Sequence, residues 1–127
     1  MIFDLENLNP GTWFDLPDGG RICLRILSLE TALSISEAVT KKRLEYKHGQ
    51  RFEVEDVNEN KNLELTWDNI ILEWEGIKTA DGKPLPCTAE MKAKLMRGSP
   101  SFAKIVRDNL NHLNELEGTR EEIERKN

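Results

Sequence analysis

The sequence predicts an α+β domain in which N-terminal antiparallel β-hairpins pack on three to four α-helices. Three observations carry this reading. Trp13-Phe14-Asp15-Leu16-Pro17-Asp18-Gly19-Gly20-Arg21 is turn chemistry between two short alternating segments. From about residue 56 onward, apolar residues recur at spacings of three and four. Glycine and proline cluster between these periodic stretches, as in Gly76 to Pro86 and Gly98-Ser99-Pro100.

The elements follow in order. Residues 1–11 carry Phe3, Leu5 and Leu8 among acids and asparagines, then Pro10-Gly11, and read as an arm or short strand. In the first hairpin, Pro17 suits the first corner of a turn, and the glycines supply positive φ. The return strand is expected over Arg21 to Leu27, with Ile22, Leu24 and Ile26 on one face and Cys23 and Arg25 alternating with them. Ser28 can cap a helix, with Thr31 as an alternative cap, and the apolar side of that helix holds Ala32, Ile35 and Val39. That helix is expected to end in Thr40-Lys41-Lys42-Arg43. A second hairpin follows, Leu44 to Tyr46 and Arg51 to Val54 around His48-Gly49-Gln50, and its polar, basic flanks suit an edge that resists pairing with other chains.

Asp56 is expected to cap a long helix running to Trp74, because Leu63, Trp67, Ile70, Ile71 and Trp74 form one stripe. Gly76 ends it. The segment from Trp74 to Thr88 reads as a fixed turn between helices. Thr88 or a neighbour opens a short helix with Met91, Leu95 and Met96 inside, stopped at Gly98. Ser99 and Pro100 restart the chain as cap and first helical residue. The last helix presents Phe102, Ile105, Val106, Leu110, Leu113 and Leu116 on one face, with Gly118 as its expected end. Residues 1–118 then form a single domain and 119–127 a charged C-terminal tail, in which Glu121 with Arg125 and Glu122 with Lys126 are helix-compatible pairs.

Composition narrows the function classes. The chain has 127 residues, ample for one core without staples. Its net charge is -5 and its pI about 5.1. An acidic chain lacks the basic footprint that general phosphate-backbone binding needs, so nucleic acid is not an expected partner. Cys23 and Cys87, far apart in an acidic chain whose first residues are acidic rather than basic, read as reduced, packed thiols of a cytoplasmic protein. No apolar run approaches the roughly 20 residues of a membrane span.

Each group that might do chemistry fails at a required position. Asp56-Val57-Asn58-Glu59-Asn60 starts like a calcium loop, but Lys61 stands where glycine turns the chain and Trp67 where a bidentate glutamate must sit. Asp15 and Asp18 flank a turn, where aspartate bonds its own backbone. His48 and His112 have no Cys or carboxylate at metal-ligand spacing. Asp18-Gly19-Gly20 lacks the lysine and hydroxyl of a phosphate loop. Lys41, Lys42, Arg43, Lys47 and Arg51, interleaved with Tyr46 and Phe52, are read as solvated cations of an edge hairpin. The expectation is a protein with no catalytic residue, no cofactor and no metal.

Three segments together resemble a known family. They are Gly11-Thr12-Trp13-Phe14-Asp15-Leu16-Pro17-Asp18-Gly19-Gly20-Arg21, then Trp74-Glu75-Gly76-Ile77 with Asp81-Gly82-Lys83-Pro84-Leu85-Pro86-Cys87-Thr88, then Ser99-Pro100-Ser101-Phe102-Ala103-Lys104-Ile105-Val106. The middle one is similar to the connector of small tail assembly chaperones of long-tailed bacteriophages and prophages, which also precedes a short and then a longer helix. Cys87 stands where that connector carries an aromatic residue. The resemblance implies a non-enzymatic helper in the host bacterial cytoplasm. Its partners would be the phage tape-measure protein and the tail-tube protein, and it could also form a homo-oligomer. A frameshift-extended form is common in that family. The alternative reading is a structural minor tail or head–tail component retained in the virion. Phe3, Leu5, Leu8, Leu116 and Ile123 are the candidate partner-binding residues, since apolar groups on terminal segments gain little unless something docks on them.

Overall fold

The computed structural model describes the backbone of residues 1–125 and the side chains of residues 1–116. The elements run β1 (Thr12–Asp15), β2 (Arg21–Leu24), α1 (Leu29–Val39), β3 (Thr40–Lys47), β4 (Gln50–Val57), α2 (Glu59–Ile70), β5 (Ile71–Glu75), α3 (Ala89–Gly98) and α4 (Pro100–Arg125). The expected α+β class holds, with antiparallel strands and four helices.

Two sheets are present. The first is three-stranded and antiparallel in the order β1-β2-β5, and the second is the β3-β4 ribbon alone. The first hairpin forms as its turn chemistry requires: Leu16 N–H donates to Gly20 O at 2.7 Å, and Gly19 takes a φ of 91°. Its return strand stops at Leu24 rather than Leu27, where Arg25 N–H turns to donate to Ile70 O at 3.0 Å. Ser28 caps α1 through its Oγ, which accepts from Thr31 N–H at 3.2 Å. On α1, Ile35 and Val39 are buried, but Ala32 is exposed.

The second helix departs from expectation at both ends. Its cap is Asn58, whose Oδ1 accepts from Lys61 N–H at 3.1 Å, and not Asp56. Asp56 is held in β4, where its carboxylate accepts from Arg43 Nε at 2.6 Å. The helix ends at Ile70, and Trp74 lies in β5, paired with Ile22 of β2. Trp67 and Trp74 therefore do not share one helix. The cause is a register shift between Cys23 and Leu24: Glu73 pairs with Cys23 and Ile71 with Leu24, so Leu72 is the extra residue of a bulge. A bulge lets two strand residues three apart, Ile71 and Trp74, face the same core. That spacing imitates a helix.

The core is Ile22, Leu24, Ile70, Ile71, Trp74, Phe102 and Val106, the sheet packing on α4. Trp74 meets Phe102 edge-on, with ring centroids 6.0 Å apart. Trp67 is only half-buried and lies beneath the Arg97 guanidinium at 5.1 Å, while Leu63 is 42% exposed. Thr88 and Ser99 cap α3 and α4 as expected, accepting from Met91 N–H and Phe102 N–H at 3.2 Å each. Gly118 does not end the last helix, which continues to Arg125. No described helix is long and apolar enough to cross a membrane.

Lys92 of α3 is buried at 6% exposure and donates to Asp68 Oδ1 at 2.9 Å and Asp68 O at 3.1 Å. Removing the counter-charge leaves an ammonium short of a partner in a dry place. Asp68→Ala is expected to cost about 1–3 kcal/mol in urea unfolding, and Lys92→Met, which removes the charge itself, to cost less. Equal costs for the two would show that the pair contributes packing only.

Candidate partner-binding surface

The N-terminal arm leaves the body at a fixed point. Asn9 Nδ2 donates to Ile26 O at 2.8 Å, and Arg25 reaches Asn9 O at 3.4 Å and Asn69 O at 2.8 Å. One guanidinium thus ties the base of the arm to the end of α2. Gly11, at φ 88°, carries the chain against Leu72 and Cys23, where an added Cβ would lie 2.6 Å from the Leu72 side chain. Before Asn9 every residue of the arm is exposed. Phe3 is 64% exposed, Leu5 82% and Leu8 65%, and Met1 and Ile2 are exposed as well. A turn closed by Asp4, which accepts from Asn7 N–H at 3.1 Å, is the local order of the arm.

The structure does not bring the candidate residues together. Leu8 alone of them lines a depression of about 210 Å³, with Asn9, Pro10, Thr12, Arg25 and Leu113 of α4 among its neighbours. Leu116, three residues further along α4, is 51% exposed. The Ile123 side chain lies outside the described residues. Expectation missed Arg25 and Leu113 as parts of this surface. Leu113 was legible only as one of six residues of an apolar stripe, and Arg25 only as an alternating strand residue.

The three segments that carry the family resemblance also converge. Gly20 and Gly76 touch back to back: a Cβ on Gly76, at φ 77°, would sit 2.7 Å from Gly20 Cα. The connector folds on itself, with Thr79 N–H donating to Lys83 O at 2.8 Å and Leu85 N–H to Ile77 O at 2.9 Å. It is pinned by the Trp74 indole, whose N–H donates to Leu85 O at 2.8 Å. Around this junction is a depression of about 420 Å³, lined by Leu16, Ile77, Leu95, Phe102 and Ile105 among others. Its wall is mixed, since Asp18, Lys78, Ser99 and Ser101 line it together with the apolar side chains.

The acidic and histidine side chains are scattered. Asp15 lies in β1 and Asp18 in the turn, His48 occupies the β3-β4 turn at φ 52°, and His112 is exposed on α4. Among the described residues, no three His, Cys, Asp or Glu side chains gather where they would hold a metal ion. Both cysteines are free. Burial pushes both thiols up, so at neutral pH they stay protonated and behave as small apolar groups. The Glu75 carboxyl is held low by its bond from Arg21, and Asp81 by its bond from the Thr79 hydroxyl. Both are exposed structural contacts.

Comparison with known proteins then places the chain. The family model for the YdaY prophage protein matches residues 30–126. The chain belongs to the YdaY prophage protein family. The match covers everything from α1 onward, including the ribbon, the connector and α4, and leaves the arm and first hairpin outside it. No curated protein and no solved structure matches. The match establishes a prophage protein.

Proposed function

We propose that this prophage protein is a non-enzymatic tail assembly chaperone that binds tape-measure protein in the host cytoplasm during tail morphogenesis. The observation that carries the reading is the exposed arm. Met1, Ile2, Phe3, Leu5 and Leu8 are apolar and solvent-facing, while the core closes without them. Leaving large apolar side chains in water forgoes about 1.5–3 kcal/mol each, and such a segment gains that energy only by docking. A long helical protein with apolar faces, held soluble before tube subunits enclose it, supplies the required surface. The prophage family and the convergence of the three resembling segments into one interlocked unit support the same reading. The exposed end of the described α4 face, Leu116, extends that surface.

A chaperone is released before the particle is finished. Mass spectrometry of purified virions is expected to detect tape-measure and tube proteins but not this chain. Its presence at stoichiometric levels would favour the alternative, a structural minor tail or head–tail component, and overturn the chaperone.

A further inference from the structure

The β3-β4 ribbon stands apart from the body. It forms its own two-stranded sheet, and of its strand residues only Thr40, Glu45 and Val54 are even half-buried. Its base is fixed where Asn58 N–H donates to Val39 O at 2.8 Å. A lone two-stranded hairpin is marginal in water, and both of its edges are open.

The turn fixes which backbone groups are open. His48 and Gly49 both have positive φ, at 52° and 74°, so the loop has two residues, with Lys47 opposite Gln50. Lys47 and Gln50 then exchange hydrogen bonds, and so, by alternation, do Glu45 with Phe52 and Arg43 with Val54. The N–H and C=O groups of Lys42, Leu44 and Tyr46 therefore point away from β4, along the free edge.

We propose that this edge pairs with the same edge of a second copy, antiparallel about a two-fold axis at Leu44. Symmetry allows only registers that place a residue opposite itself, because neighbouring residues face opposite sides. With Leu44 on Leu44, Arg43 faces the second copy's Glu45, Glu45 faces its Arg43, and Lys42 faces Tyr46. The open groups of Lys42, Leu44 and Tyr46 meet as hydrogen-bonded pairs, giving about six backbone bonds. Arg43 and Glu45 already form an ion pair within one chain, and the dimer joins two such pairs into an alternating cluster. Leu44 and Tyr46, 48% and 71% exposed, become covered on the opposite face. Lys41 faces Lys47 twice, once at each solvated end, and these are the like-charged pairs of the register.

The charges nearest the axis favour this register and this edge. A shift by two residues puts Arg43 on Arg43, with Lys41 then facing Glu45, or Glu45 on Glu45, so a like-charged pair sits on the axis itself. Along β4, registers with comparable overlap set Glu53 against itself at the axis with Arg51 facing Glu55, Glu53 against Glu55, or Glu55 against itself. Like charges directly opposite oppose pairing; the alternatives put them at or beside the axis, whereas the Leu44 register puts Arg43 and Glu45 there and leaves its like charges at the solvated ends. This runs against the expectation that the basic flanks keep the edge unpaired. The assignment is independent of the chaperone reading and of the N-terminal arm.

Sedimentation velocity of the full chain tests it. The wild type is expected to sediment with the mass of two chains. Glu45→Arg and Arg43→Glu each place like charges across the axis and should give monomers, while an equal mixture of the two variants restores opposite charges and should give a heterodimer. Leu44→Pro removes an outward N–H without touching the ribbon's own ladder and should also give a monomer. Circular dichroism checks that each variant stays folded. A monomeric wild type overturns the proposal. So does a dimer that survives Glu45→Arg and Leu44→Pro, or a mixture of the charge variants that stays monomeric.

Discussion

Replacing Trp74 with alanine is expected to destabilise the fold by about 3–5 kcal/mol. Trp74 is 6% exposed, stands edge-on to Phe102, and its indole N–H is the bond that holds Leu85 of the connector. Three contributions are lost at once: packing against α4, the aromatic contact, and the partner of a carbonyl in the loop before α3. Trp67→Ala provides the contrast. Trp67 is half-buried under Arg97 and outside the fully buried set, so its loss should cost less. Denaturant unfolding of the two variants measures the order. A larger loss at Trp67 than at Trp74 would mean that the core is centred on α2 rather than on β2, β5 and α4.

The second large effect is expected at Gly76. Alanine there adopts a left-handed φ, at about 1–2 kcal/mol, and its Cβ would lie 2.7 Å from Gly20 Cα, for about another 1–3 kcal/mol of overpacking. Gly20→Ala meets the same obstacle from the other side, with its Cβ 2.6 Å from Glu75 O. Backbone cannot rotate away as a long side chain can. Gly82→Ala is the control, because its φ of 83° carries the conformational strain but its Cβ would meet no atom within 4 Å. Thermal melts should show Gly76→Ala and Gly20→Ala well below Gly82→Ala. Equal melting points would show that the turn and the connector do not touch.

How much of this was legible in the sequence depended on whether the deciding force was local. The Pro17 to Gly20 turn, the caps at Ser28, Thr88 and Ser99, and the Pro100 restart are local chemistry, and each forms as read. The α2–β5 junction is not local. Ile70, Ile71 and Trp74 fit a helical stripe, and only pairing with β2 and the bulge at Leu72 make the last two strand residues. The ribbon was found but read too short. Thr40 to Arg43 and Glu55 to Val57 are charged or polar enough to resemble loop, and they become strand because each has a partner across the ladder. Lys92 was the polar residue inside an apolar α3 stripe, a signal overlooked because its partner, Asp68, is 24 positions away.

Phe3, Leu5, Leu8 and Leu116 are exposed, which is the condition that docking on them requires; the Arg25 clamp at the base of the arm had no spacing to point to it, because its acceptors lie 16 and 44 positions away. The setting came from the family match, since a docking surface has no local sequence signature of its own.

The most direct test of the central reading is co-expression of the prophage's tape-measure protein with this chain, followed by measurement of the soluble tape-measure fraction. With the full chain, tape-measure protein is expected to stay in the supernatant and to co-purify with it. With residues 1–8 deleted and the remaining fold intact by circular dichroism, it is expected to precipitate. Tape-measure protein that is equally insoluble with and without the full chain would contradict the chaperone. Full solubility with the truncated chain would show that the arm is not the surface it uses.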